Sequence, residues 1–195
     1  MNRLIRVVAI AACLIVNAAP AREVRPQAQT VRTPDVVYVG TPYDVVSAML
    51  KLARIKKDDL VYDLGCGDGR MIVLAAKRYG CRGIGYDIDP ERVSAAVANV
   101  KRNKVEQLVK IVQADLFTLD FKDADVLSLY LLPDINEKLV PQFEKLKPGS
   151  RLVFHDYGLE GFKPDRTTYI ISNEDNAGHT IYLYTTPLNR KNPAP

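Results

Sequence analysis

From Leu60 onward, short unbroken apolar runs alternate with longer stretches in which apolar residues recur every three or four positions. The short runs are Leu60–Leu64, Gly83–Ile88, Val109–Ala114, Val126–Leu131 and Arg151–His155, and each has the length of a buried strand. Arg70–Tyr79, Pro90–Asn103 and Ile135–Leu146 carry the helical period. Gly80 stops the first of these, Asp89 stands as N-cap of the second, and Lys147-Pro148-Gly149 ends the third. Strands separated by helices of this length predict a parallel sheet with helices on both faces. Upstream, Thr41 stands as an N-cap before Pro42, and Val45, Val46, Met49, Leu50 and Leu52 give one apolar face to a helix over about 42–54. Downstream, Thr167–Ser172 and Thr180–Thr185 flank the polar turn Asn173–Gly178, which predicts an antiparallel hairpin added to the sheet.

The N-terminus follows a different pattern. Arg3 and Arg6 precede the apolar run Val7–Val16, and Ala19-Pro20-Ala21 places small residues where a signal peptidase reads. The run falls short of the ~20 apolar residues a spanning helix needs. Residues 1–21 are therefore expected to be a signal peptide or an uncleaved N-terminal anchor, with lipoprotein-type cleavage before Cys13 as a variant. Export to a periplasm-like compartment is the favoured reading; a domain held at the cytoplasmic face by its leader is the alternative. Residues 22–35 are polar and aperiodic and read as a linker, 36–186 as the folded domain, and 187–195 as a tail.

At 47% hydrophobic and 26% charged residues, the composition excludes a disordered or collagen-like chain. The formal charge of +4 drops to +2 without the leader, because Arg3 and Arg6 leave and no acid does. A balance this small does not indicate nucleic acid as a partner, and a membrane is implied only through the leader. Cys66 and Cys81 fall at opposite ends of neighbouring strands about 17 Å long. A disulfide needs Cα atoms within about 7 Å, so both are expected as free thiols, which fit poorly with an oxidising compartment. Only His155 and His179 are available as imidazole ligands, which argues against a zinc cluster. His155-Asp156 reads as a hydrogen-bonded strand end before it reads as an acid–base pair at a site rim.

Chemistry concentrates in Val61-Tyr62-Asp63-Leu64-Gly65-Cys66-Gly67-Asp68-Gly69, where a strand runs into a glycine turn that opens a helix. Glycines there let backbone approach a ligand at the carboxyl ends of the strands. A P-loop is excluded, since no Gly-Lys-Ser/Thr follows. A dinucleotide fingerprint would need a small residue where Arg70 stands.

With its G-x-G-x-G turn and the acid before it, the chain resembles class I S-adenosylmethionine-dependent methyltransferases. The stretches Tyr38-Val39-Gly40-Thr41-Pro42, Tyr62 to Arg70 and Leu129-Tyr130-Leu131-Leu132-Pro133 are similar to a compact subfamily of archaeal and mitochondrial protein-lysine methyltransferases. The resemblance implies a Rossmann-like α/β fold: a seven-stranded, mostly parallel sheet with one antiparallel strand and helices on both faces. It implies S-adenosylmethionine as cofactor, held by Asp63, Gly65, Gly67, Gly69, Asp87 and Asp115. Asp87 would accept from the ribose hydroxyls and Asp115 from the adenine amino group, while Asp63 would face the methionine ammonium or hold the loop. No Asn-Pro-Pro-aromatic signature follows the fourth strand. Tyr130, helped by Tyr43 or Tyr38, is the expected lining of the acceptor channel. The implied partner is a protein bearing an accessible lysine. A small-molecule O- or N-methyltransferase and a non-catalytic S-adenosylmethionine-binding module remain the alternatives.

Overall fold

The computed structural model describes residues 38–191. The expected leader (1–21), the linker (22–35) and the end of the tail lie outside the described residues. Among the described residues, the chain runs α1 (Tyr43–Leu52), β1 (Leu60–Leu64), α2 (Arg70–Tyr79), β2 (Arg82–Asp87), α3 (Pro90–Arg102), β3 (Val109–Gln113), β4 (Val126–Leu129), α4 (Pro133–Phe143), β5 (Arg151–His155), β6 (Arg166–Ile171) and β7 (Gly178–Thr185). The strands form one sheet in the order β3-β2-β1-β4-β5-β7-β6. β1 to β5 pair in parallel, and β7 runs antiparallel to both of its neighbours, β5 and β6. This is the expected seven-stranded sheet with a single reversed strand, and the reversed strand belongs to the terminal hairpin.

β1, β4 and β5 are buried along nearly their whole length because helices cover both faces of the sheet. Period-two alternation sends Val61, Val126, Val153 and Ile181 to one face, where they pack with α1 and α2 through Val45, Met49, Ile72 and Ala75. Tyr62, Leu64, Leu127, Leu129 and Phe154 point to the other face and meet Ile135, Leu139 and Phe143 of α4. β3 and β6 are the sheet edges, and Tyr169 and Ile171 of β6 are exposed.

Several boundaries depart from the sequence reading: β7 begins at Gly178, inside the expected turn, and β4, α4 and α1 differ as well. β4 ends at Leu129, and Tyr130 and Leu131 leave the sheet, so that Pro133 can open α4 two residues earlier than periodicity placed it. That helix also stops at Phe143. Thr41 does not cap α1: Pro42 occupies the cap position, and the Thr41 hydroxyl instead meets His155 Nδ1 at 3.1 Å. The first amides of α1 are satisfied from far along the chain, where Glu174 Oε1 accepts from Tyr43 N (2.8 Å) and Asp44 N (3.3 Å). Asp89 caps α3 as expected, accepting from Glu91 N at 2.8 Å.

Candidate active site

The chain steps from β1 to β2 and β3 on one side, then returns to β4 and β5 on the other. A crevice opens outside the carboxyl ends of the strands at this reversal. It has a volume of about 1100 Å³ including its mouth, and Asp63, Gly65, Asp87, Asp115 and Tyr130 line it. Ile88, Leu116 and Phe117 supply an apolar wall, and Tyr38, Val39, Gly40 and Thr41 form another side.

The glycine turn adopts backbone that its sequence requires. Gly65, Gly67 and Gly69 have φ of 72°, 54° and 74°, the left-handed region that side chains with a Cβ avoid. The three do different work, however. Only Gly65 lines the crevice. A Cβ on Gly67 would clash with the Tyr38 ring, so this glycine makes room for the N-terminal segment. Gly69 caps α2 and lies close against Ala96 of α3, a packing role.

Asp87 closes β2 and is tied to the turn: its Oδ2 accepts from Gly67 N (2.8 Å) and its Oδ1 from Asp89 N (3.0 Å). Burial raises its carboxyl above the ordinary range. Asp63 is fully sequestered beneath the turn, where Ser128 donates to its Oδ1 at 2.6 Å. Burial pushes its pKa up to about 7, outweighing the Ser128 hydrogen bond, with help from the nearby carboxylates Asp87 and Asp68. Asp115 lines the crevice and also caps the 3-10 turn Leu116–Thr118, accepting from Phe117 N at 3.0 Å.

The structure brings Tyr130 into the crevice, with its ring centroid 3.9 Å from that of His155 and its plane nearly parallel to Tyr157. Tyr38 joins the lining. Tyr43 does not: it opens α1, is 47% exposed, and lies beneath the Arg70 guanidinium at 5.1 Å. Its expected place in the acceptor channel is therefore corrected.

Sequence reasoning missed the residues that hold the N-terminal segment over the turn. Arg70 donates from Nε and Nη2 to Asp68 and from Nη1 to the Thr41 carbonyl, and its guanidinium packs against Gly40. Although burial pushes the Asp68 carboxyl up, hydrogen bonds from Arg70 hold it below the usual range. Arg92 caps the Tyr38 ring at 4.9 Å. Also missed was the meeting of His155, Asp156 and His179, whose ligand-type atoms all lie within 4.8 Å of one another. Only pairing of β5 with β7 brings the two histidines together.

Three carboxylates on successive strand ends, a glycine turn and a crevice at the strand reversal define a class I S-adenosylmethionine-dependent methyltransferase. The donor set fits that cofactor: carboxylates at strand ends suit ribose hydroxyls and an adenine amino group, the buried Asp63 suits an ammonium, and the apolar wall suits a purine. The family described as ANTKMT methyltransferase domain matches residues 63–166, and the chain belongs to this family. A protein-lysine N-methyltransferase from Saccharolobus islandicus is 44% identical over 154 residues, which cover 77% of this chain and 94% of that one. The adenine nucleotide translocase lysine N-methyltransferase of Mus musculus is 33% identical over 66% of this chain and 56% of its own length. Among solved structures, a Salinibacter ruber protein described as an RNA methyltransferase in complex with S-adenosyl-L-homocysteine superposes with a TM-score of 0.70. It is 42% identical over 80% of this chain and 98% of that one.

Proposed function

We propose that this enzyme transfers a methyl group from S-adenosylmethionine to the ε-nitrogen of a protein lysine. The observation that carries the reading is an open crevice lined by the carboxylates Asp63, Asp87 and Asp115 and by the tyrosines Tyr38 and Tyr130. Asp87 and Asp115 would hold the nucleoside and Asp63 the methionine end. The bound cofactor supplies an activated methyl group on sulfur. The protein's own share is to orient the acceptor and exclude water from the line of attack. Tyrosine faces attract a cationic or methylated amine. Among the described residues, the chain passes from β4 through only Tyr130, Leu131 and Leu132 into α4, with no inserted lid. A protruding side chain of a macromolecule suits such a site, and two relatives named for lysine methylation support the choice.

The Salinibacter relative's description gives RNA a place in the test. Purified protein is supplied with methyl-labelled S-adenosylmethionine and either poly-L-lysine or bulk RNA, and hydrolysates are analysed. The expected product is methyllysine, and label in RNA alone would transfer the reading to RNA. Cofactor binding is followed by calorimetry, and Asp87→Ala is expected to weaken it about 10²-fold or more, as for losing hydrogen bonds to a charged group. As part of the same reading, residues 1–21 act as an export leader, supported by Arg3, Arg6 and the Val7–Val16 run. N-terminal sequencing of the fractionated protein tests this, and an intact Met1 in the cytoplasm would speak for the uncleaved alternative.

A further inference from the structure

A lysine ε-ammonium has a pKa near 10.4 and no lone pair at neutral pH, so one proton must leave the crevice before the nitrogen can attack. The structure contains an unbroken hydrogen-bonded path from the crevice to the surface. Thr41 lines the crevice, and its Oγ1 lies 3.1 Å from His155 Nδ1. His155 Nε2 lies 2.9 Å from His179 Nδ1, and His179 Nε2 lies 3.2 Å from an Asp175 carboxylate oxygen. His155 is wholly buried, His179 nearly so, and the Asp175 side chain is 43% exposed on the β6–β7 turn.

The directions along the path follow from the valence of neutral imidazole, which has one donor and one acceptor nitrogen. Asp175 can only accept, so His179 Nε2 donates to it at 3.2 Å; His179 Nδ1, which lies 2.9 Å from His155 Nε2 and 3.4 Å from Asp156 Oδ2, then accepts over the shorter link in the neutral ring. His155 Nε2 therefore donates to His179, leaving His155 Nδ1 to accept from the Thr41 hydroxyl. Every donor points the same way, from crevice to solvent. Asp156 Oδ2 sits beside the central link, 3.3 Å from His155 Nε2 and 3.4 Å from His179 Nδ1, where it stabilises positive charge passing through either ring.

Resting on the lysine reading, we infer that Thr41, His155 and His179 form a proton relay that deprotonates the acceptor ammonium and delivers the proton to Asp175 and bulk water. The ammonium gives a proton to Thr41 Oγ1 as Thr41 gives its own to His155 Nδ1. His155 Nε2–H passes to His179 Nδ1, and His179 Nε2–H leaves through Asp175. The freed lone pair then forms the N–C bond while the S–C bond breaks and its electron pair stays on sulfur. Burial holds His155 neutral, well below the usual histidine range, so it passes a proton on and does not store it. The charged and titratable groups facing the path are Asp156 after β5, Asp175 on the β6–β7 turn, Tyr130 after β4, and Arg70 of α2, whose guanidinium donates to the Thr41 carbonyl.

The test uses the whole enzyme with saturating S-adenosylmethionine and poly-L-lysine across pH 6–10. Because His155 is a core residue, the lead variant is Thr41→Val, paired with Thr41→Ser and His179→Gln. Thr41→Val and His179→Gln are expected to lower kcat on the order of 10²-fold at pH 7. That deficit should shrink as pH nears the lysine's own pKa of about 10.4, and Thr41→Ser should restore most of the rate. A deficit that stays constant with pH reflects structure alone and overturns the relay, as do unchanged variants. Independently of turnover, 15N imidazole shifts should show His155 neutral at pH 7 with one protonated nitrogen. An imidazolium there, or a transition metal retained stoichiometrically by both histidines, overturns it too. Wild-type enzyme that methylates no lysine brings down the substrate reading and the relay together. Active wild type with normal variants brings down the relay alone.

Discussion

Asp63 and Asp87 sit on neighbouring strands in register with the same turn, yet their environments set them different tasks. Asp87 is bound by two backbone amides and shapes the loop as well as facing the crevice. Asp63 has a serine partner and full burial, which raises its pKa to about 7. A carboxyl whose folded pKa exceeds its unfolded value of about 3.9 contributes stability that is present below that value and lost as pH rises through the folded one. The ligand-free enzyme should therefore lose stability between about pH 4 and 7, and Asp63→Asn should flatten that slope in urea titrations repeated across pH. A cationic ligand reverses the effect by favouring the carboxylate. At pH 6, binding of S-adenosylmethionine should release up to about one proton, read by calorimetry in two buffers of different ionisation enthalpy, and Asp63→Asn should abolish the release. At this scale the acids and Gly65 were legible in the sequence, because a strand end followed by glycine fixes where they point. Arg70 was legible only as an obstacle to a dinucleotide. Its grip on Asp68 and the Thr41 carbonyl depends on a segment that folds back across the turn, which no local pattern encodes.

Elements were read from periodicity, and β1, α2 and β5 have the limits their apolar pattern set. The errors fall where tertiary contacts replaced local rules. Tyr130 and Leu131 look like strand residues, but Pro133 favours a helix start and draws the chain out of the sheet, which places Tyr130 over His155. Thr41 has the chemistry of an N-cap but spends its hydroxyl on His155, and Glu174 takes over the capping from the far end of the chain. Asp44 answers by accepting from Ser172 Oγ and Asn173 N, so α1 and the β6–β7 turn are stitched from both sides. Removing the Glu174 carboxylate should cost about 1 kcal/mol, the usual worth of a helix cap, and lower Tm by roughly 2–4 °C. Glu174→Ala followed by thermal melting checks this, and an unchanged Tm would mean that water replaces the cap. Because only Pro42 separates Thr41 from α1, the same variant should also lower kcat with poly-L-lysine more than it changes cofactor affinity.

Across the whole molecule, two apolar layers enclose the sheet; Cys81 lies inside one of them, and Cys66 is buried at the glycine turn, where it lines the crevice. Cys66 and Cys81 are free and buried. Burial raises both thiols, Cys81 to about 11, so neither presents a thiolate at neutral pH. The expectation of unpaired thiols thus holds for the described residues. It follows from the topology, since a parallel strand separates the end of one run from the beginning of the next. Burial with raised thiol pKa values answers the thiol objection to export, while the supply of S-adenosylmethionine outside the cytoplasm stays the larger one. Burial also makes the thiols counters for the leader, because the full chain has three cysteines and the third is Cys13. In the native enzyme, Cys81 should resist a thiol reagent such as Ellman's for as long as the core stays closed, and Cys66 as far as its burial in the crevice wall shields it. After unfolding in denaturant, protein purified from its natural cell should show two reactive thiols per chain if residues 1–21 have been removed. Three would show that the leader is retained as an anchor, and the domain would then share a compartment with the cell's own S-adenosylmethionine. Fewer than two would mean that an oxidant had reached the core, and the burial argument would fail.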